Sequence, residues 1–148
     1  FNNEVVTNVS LYASMINSLK DEDVRITDRI SLPRKRLKGF QYGAIGPVDA
    51  GDYVGGNYAT VVNFSSTLPM ILQTVENVDV KYFLDVGNLW GVDYSSSIDD
   101  SNTIRSSTGI GVDWFTPIGP MTFSIAQDLT KASTDKTESF QFNLGTTF

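Results

Sequence analysis

The sequence predicts an all-β protein, an antiparallel meander of about six strands. Apolar and polar residues alternate with a period of two over long stretches of the 148-residue chain. Clusters of Gly, Pro, Asn, Asp and Ser interrupt this alternation, as turns do. No stretch has a sustained helical period, and no apolar run approaches the roughly 18 residues of a membrane-spanning helix. The predicted strands cover residues 4–19, 55–67, 77–90, 104–116, 120–129 and 138–148.

The last three strands each divide into a mainly apolar face and a mainly polar face. The terminal strand places Phe140, Phe142, Leu144, Thr146 and Phe148 on one face, and Gln141, Asn143, Gly145 and Thr147 on the other. Met121, Phe123 and Ile125 share a face in the fifth strand, as Ile110, Val112 and Trp114 do in the fourth. Arg105 lies on the same face as Asp113.

The third strand follows the same rule. Val78, Val80, Tyr82, Leu84 and Val86 lie opposite Asp79, Lys81 and Asp85, and Phe83 is the main apolar residue on the charged face. Alternation of this kind occurs both in soluble sheets and in membrane barrels. Several aromatic residues lie near strand ends on the apolar face, which is typical of the aromatic girdle of a membrane barrel.

The connections alternate in length. Residues 68–76 and 116–120 form short turns, whereas residues 91–103, 130–137 and above all 20–54 form long polar loops. Outer-membrane barrels have the same asymmetry. Six strands are fewer than the about eight of the smallest barrel. We therefore expect either a fragment of a larger barrel or a homo-oligomer that pairs through its edge strands.

Composition argues against an enzyme. The chain has no Cys and no His, which removes thiolate catalysis, disulfides, the commonest general base and the commonest metal ligand. We predict no catalytic residue, no metal site and no cofactor. The net charge of -6 argues weakly against nucleic acid. A calcium site around Asp99-Asp100-Ser101-Asn102 stays open, although this segment lacks the full calcium-loop spacing.

The long loop carries a basic run that ends in Leu37-Lys38-Gly39-Phe40. This tetrapeptide resembles the Val/Ile-Arg-Gly-Phe motif on the sixth extracellular loop of the BamA family. Further matches follow in the family's order: Ile45-Gly46-Pro47, Val54-Gly55-Gly56-Asn57, residues 83–90, residues 104–109, residues 114–120 and the ending 140–148. The resemblance covers residues 37–148 and identifies the chain as the C-terminal part of a BamA-family barrel.

The resemblance implies the architecture and the location. A barrel of this family has 16 strands, follows periplasmic POTRA domains and lies in the outer membrane of Gram-negative bacteria. This chain would supply the last six strands over residues 1–148, with the sixth loop at about residues 20–54. No POTRA-like alternation of strands and helices precedes Phe1, so we expect the POTRA domains to lie outside this chain.

The resemblance also implies roles for single residues. Lys38 would reach into the lumen and pair with an acid on the barrel wall, and Asp85 matches that acid. The sequence departs from the family twice, since Lys38 replaces the usual Arg and Asn63 stands where many members carry a second acid. Both changes predict a weaker attachment. The alternative is an unpaired, solvent-exposed Lys38.

The function implied is that of an insertase, which folds barrel proteins and inserts them into the membrane through a lateral seam at the last strand. Its partners would be unfolded outer-membrane proteins, lipoproteins of the assembly machinery and the lipid bilayer. The seam residues would be Phe140, Phe142, Leu144, Gly145 and Phe148. The alternatives are a protein-secreting pore of the same superfamily and a soluble β-sheet domain that binds a ligand with its loops.

Overall fold

The computed structural model describes residues 4–69, 71, 75–99 and 102–145. Six strands form one antiparallel sheet in chain order: β1 (Thr7–Met15), β4 (Tyr58–Thr67), β5 (Val78–Trp90), β6 (Arg105–Thr116), β7 (Gly119–Thr130) and β8 (Phe140–Leu144). A two-stranded hairpin, β2 (Val48–Asp49) and β3 (Asp52–Tyr53), and a 3-10 helix at Ile26–Asp28 lie between β1 and β4. The predicted six-stranded meander is confirmed. Phe148 lies outside the described residues.

The polarity of the two faces of the sheet is reversed relative to a soluble protein: the exposed outer face is mainly apolar, and the inner face buries polar side chains. Large apolar side chains are exposed on the outer face, among them Val9, Leu11, Tyr82, Ile110, Trp114, Ile125 and Phe140. Polar side chains are buried on the inner face, among them Asp85, Arg105, Ser107, Asp113, Ser124 and Gln141. Burial of charges together with exposure of apolar residues is the arrangement that a lipid-facing barrel wall requires.

The connections differ at the two ends of the sheet. Residues 68–77 and 117–118 make the turns at one end. Residues 16–57, 91–104 and 131–139 make the connections at the other end, and the first two of these are longer than either connection at the first end. We call residues 16–57 the plug loop, because this segment folds back against the inner face.

The plug loop supplies half of the hydrophobic core. Leu32, Leu37, Phe40 and Ile45 from this loop pack against Ala59, Val61 and Leu89 from the strands. Burial of a large apolar side chain contributes about 1.5–3 kcal/mol relative to an exposed position. The core therefore holds a loop whose ordering would otherwise be costly.

Candidate functional site

Lys38 forms an ion pair with Asp85 on the wall of the sheet. Its Nζ lies 2.8 Å from Asp85 Oδ2, and its backbone N–H donates to the same oxygen at 3.0 Å. The Asp85 side chain is completely buried, and that of Lys38 is 23% exposed. The Lys38 ammonium also lies over the Phe83 ring, 4.5 Å from its centroid. Phe83, the main apolar residue on the charged face of β5, thus adds a cation–π contact to the ion pair.

Asp85 belongs to a row of polar residues that lie in register across four strands: Ser10, Asn63, Asp85 and Ser107. Asn63 Nδ2 donates to Asp85 Oδ1 at 2.8 Å and to the backbone oxygen of Arg36 at 2.7 Å. Ser107 Oγ donates to the backbone oxygen of Lys38. Asn63, Asp85 and Ser107 therefore contact the plug loop directly, and Ser10 Oγ donates to Asn63 Oδ1 at 3.4 Å.

The two departures from the family pattern are complementary in this geometry. An ammonium is a point charge, and one buried carboxylate matches it. The amide of Asn63 donates where an acid would only accept, and so it also binds the carbonyl of Arg36. The site thus pairs one cation, Lys38, with one anion, Asp85.

Gly39 allows the loop motif to approach the sheet closely. Its φ is +87°, in the left-handed region that favours glycine. A Cβ at this position would lie 2.9 Å from Ala126 Cβ and 3.3 Å from Ser107 Cβ. Both the backbone conformation and the available space therefore require glycine here.

A second ion pair lies fully buried where the long connections meet. Arg105 binds Asp135 through two hydrogen bonds, Nε to Oδ2 at 2.7 Å and Nη2 to Oδ1 at 3.0 Å. Asp135 also accepts from the backbone N–H of Gly46 at 3.3 Å and of Ala132 at 2.7 Å. Asp135 therefore joins β6, the plug loop and the last connection.

Sequence reasoning missed this second pair. Alternation placed Arg105 on the inner face, but it gave no acid to pair with it. Asp135 lies in a connection without periodicity, so no pattern places its side chain. A buried arginine needs a partner, and this requirement was the available signal.

The plug loop also pairs through its backbone with the segment before β8. Gln41 N donates to Lys136 O at 3.0 Å, Lys136 N to Ala44 O at 2.9 Å, and Glu138 N to Gly39 O at 2.9 Å. Tyr53 of the loop hairpin donates its hydroxyl to Thr134 O. Burial and then the negative charge of Asp135 raise the pKa of Tyr53, which keeps this hydroxyl protonated as a donor.

The connection from β5 to β6 binds the N-terminal part of the plug loop. Arg29 Nη2 lies 2.9 Å from Asp93 Oδ1, and Val24 N donates to Asp93 Oδ2 at 2.9 Å. Burial alone would raise the pKa of Asp93. The hydrogen bonds from Val24 and Asn57 and the charge of Arg29 outweigh it, so that the pKa lies below its usual value.

Among the described residues, β8 is the shortest of the six strands of the sheet, with five residues. Phe140, Phe142 and Leu144 are exposed on the outer face, and the Phe142 ring packs against Phe123 at 5.1 Å between centroids. Gly145 follows β8 with φ +122°. Phe148, the last predicted seam residue, lies outside the described part of the chain.

Comparison with known proteins decides the family. The profile of the Omp85 superfamily domain matches residues 1–148. The chain belongs to the Omp85 superfamily. It is 28% identical over 151 residues to the outer membrane protein assembly factor BamA of Neorickettsia risticii, with 100% of this chain and 20% of that protein aligned. It is 30% identical over 139 residues to the same factor of Neisseria meningitidis, with 76% of this chain and 17% of that protein aligned.

A solved structure of the Omp85 type gives the same answer for the fold. The crystal structure of BamA from Haemophilus ducreyi lacking POTRA domains 1-3 matches with a TM-score of 0.83 and 26% identity, over 93% of this chain and 30% of that one. The predicted resemblance and the prediction of a barrel fragment are confirmed. The chain spans a fifth or less of the curated relatives it matches. This sheet is part of an Omp85 barrel in the bacterial outer membrane.

Two further observations concern the described residues alone. They contain no helix long and apolar enough to cross a membrane. They also contain no group of three or more acidic, His or Cys side chains placed to hold a metal ion. Asp100 and Ser101 of the possible calcium segment lie outside the described residues.

Proposed function

We propose that the protein containing this chain folds barrel proteins and inserts them into the outer membrane. The observation that carries the proposal is an Omp85 sheet that ends in a short terminal strand. The names of both curated relatives point to the same activity. The partners would be unfolded outer-membrane proteins and the lipoproteins of an assembly machinery.

The proposed mechanism is physical rather than enzymatic, and it uses the free edge of β8. An exposed strand edge presents unpaired N–H and C=O groups, which an extended client segment can bind as an added strand. In the described part of the chain, β8 pairs with β7 from Met121↔Leu144 to Ile125↔Phe140, and backbone bonds from Ala126 N to Ser139 O and from Gly145 N to Pro120 O flank this pairing. The described pairing is shorter than those between the other neighbouring strands, and we expect it to open more easily. Phe140, Phe142 and Leu144 would face lipid at this seam, and Gly145 and Phe148 would continue it.

The loop motif would stabilise the barrel during this movement. The Lys38–Asp85 pair, with Asn63 beside it, ties a long loop to the wall formed by β4 and β5. The Leu37 and Phe40 side chains bury the motif, and Gly39 brings it close to β6 and β7. The proposed role of these residues is to keep the lumen filled while the seam opens.

A disulfide across the seam tests the mechanism in the full-length protein. One Cys replaces Asn143 in β8, and the second is placed opposite it in the first strand of the barrel. This chain has no natural Cys, so the introduced residue is unique in it. We expect the oxidised protein to lose client insertion into lipid vesicles and the reduced protein to regain it. Normal insertion by the oxidised protein would contradict the seam mechanism.

A protein-secreting pore of the same superfamily is the alternative function. Such a pore releases its partner to the far side of the membrane, whereas an insertase leaves the client in the bilayer. Vesicles that contain the full-length protein distinguish the two. We expect a labelled client to remain with the lipid fraction, and its appearance in the vesicle lumen or the outer medium would favour the pore.

A further inference from the structure

The segment before β8 pairs with the plug loop instead of continuing the sheet. We call residues 135–138 the latch. Phe40 and Thr137 form an antiparallel bridge, and the hydrogen bonds of Gln41, Lys136 and Glu138 flank it. The paired part of β8 begins at Phe140, opposite Ile125, and Ser139 O accepts from Ala126 N just before it. The chain therefore passes directly from the latch, which is paired with the plug loop, into β8.

Gln141 makes a second connection, this time from within β8. It is 2% exposed, and its Nε2 donates to the Phe40 backbone oxygen at 3.0 Å. Its Oε1 is buried and has no hydrogen-bond partner in the described part of the chain. The single bond to Phe40 therefore fixes the position of this side chain, which lies on the inner face of the terminal strand.

The same few loop residues also hold the loop to the wall. Lys38 and Phe40 are two residues apart, so the ion pair with Asp85 and the bond to Gln141 act on one short piece of chain. Gly39, between them, packs against Ser107 and Ala126 and accepts from Glu138. A close-packed stretch of this kind transmits a displacement instead of absorbing it.

We propose that Gln141 and the latch couple the plug loop to the terminal strand. Gln141 is a positioning residue that acts through Phe40. When Lys38 is paired with Asp85, the latch stabilises the pairing of β8 with β7. When β8 moves, the same contacts loosen the plug loop. Coupling between two sites is reciprocal, so each effect requires the other. The coupling takes its biological purpose from the proposed insertion at the seam, but its test needs no client.

Hydrogen–deuterium exchange on the full-length protein in lipid bilayers tests the coupling. The reporter is the set of backbone amides of Phe140–Leu144, and the perturbation is Lys38→Met. We expect this change to raise exchange in β8 by about fivefold or more, the lower range of couplings between linked sites. In a Gln141→Leu background, we expect the same change to raise it by less than about twofold, because the side-chain bond from β8 itself to the loop motif is then absent and only the latch before the strand remains. Leu fills a similar volume and removes the unpaired Oε1.

Two matched controls separate coupling from general loosening. Lys81→Met breaks another lysine–aspartate pair on the inner face, with Asp113, which joins β5 to β6. Gln127→Leu changes a glutamine on the outer face of β7 whose side chain donates hydrogen bonds to Asp128, away from the plug loop. We expect neither change to alter exchange in β8 or the effect of Lys38→Met. If Lys38→Met fails to assemble, Lys38→Gln takes its place.

Two results would overturn the proposal. One is an unchanged β8 after loss of the Lys38 charge. The other is an equal rise in exchange with and without Gln141, since the two sites would then be independent. Because no client is present, failure of the insertion assay leaves this experiment unaffected. A coupled β8 in a protein without insertion activity would instead contradict the proposed function alone.

Discussion

Single residues decide how firmly the plug loop is held. The sequence predicted that Lys38 pairs with Asp85, because the resemblance implies this pair and alternation places Asp85 on the inner face. Arg105 and Asp135 were not found as a pair, since 30 residues and two strands separate them. Local patterns give the face on which a side chain lies, but tertiary contacts alone give its partner.

Lys38→Met leaves the buried Asp85 without its cation. Removal of one partner from a buried pair costs about 3–5 kcal/mol, and partial exposure of Lys38 places the expected loss near the lower end. Urea unfolding of the full-length barrel in vesicles, followed by tryptophan fluorescence, measures it. Lys38→Arg keeps the charge and is the control. Equal losses in both variants would mean that shape rather than charge holds the site.

Gly39→Ala and Gly43→Ala form a matched pair. Both glycines have positive φ, +87° and +71°, but only Gly39 faces close neighbours. We expect Gly43→Ala to cost about 1 kcal/mol from backbone strain alone. Gly39→Ala should also displace the loop motif and make residues 34–38 sensitive to trypsin. Equal trypsin resistance in the two variants would rule out crowding at Gly39.

Whole elements were predicted better than their ends. The predicted strand at 77–90 and the observed Val78–Trp90 differ by one residue, because alternation stops where the chain turns. The hairpin of β2 and β3 was not predicted, since strands of two residues carry no period. The short β8 was predicted as residues 138–148. Glu138, the first residue of that predicted strand, instead pairs with Gly39 of the plug loop. Alternation along a strand does not indicate which segment its backbone pairs with.

The contact between the plug loop and the β5–β6 connection should weaken in acid. The pKa of Asp93 is lowered in the folded protein, so its contribution to stability is present above the unfolded value of about 3.9. It is lost as the pH falls through the lower, folded value. The protection factor of the Val24 amide, corrected for intrinsic exchange, should therefore drop below about pH 4. In Asp93→Asn this step should be absent, and its persistence would assign it to another group.

The molecule as a whole has lipid on one side of its sheet and its own chain on the other. The mean hydropathy of -0.10 averages over these two faces, so each face had to be assigned residue by residue. The filling of the inner face by the plug loop was implied only by the resemblance. No composition or periodicity in residues 20–54 indicates where this segment lies.

Neighbouring positions on opposite faces test this division. Ile110 lies on the outer face near the middle of β6, and Gly111 lies on the inner face, where a new Cβ would meet only Phe123 O at 3.8 Å. A lysine facing the midplane of the bilayer costs about 2–4 kcal/mol. We expect this loss for Ile110→Lys in urea unfolding from vesicles, and at most half of it for Gly111→Lys. A reversed order would mean that the faces are assigned wrongly.

The row of Ser10, Asn63, Asp85 and Ser107 has a consequence for folding kinetics. A shift of one strand by one residue would turn its member of the row toward lipid and leave the loop motif without that partner. The contacts of the loop join residues 47, 69 and 101 positions apart. Contacts so distant in sequence form slowly and late. We therefore expect docking of the loop to be a late step that succeeds only when the strands already have the right alignment, and a misaligned chain to stay open to rearrangement or proteolysis.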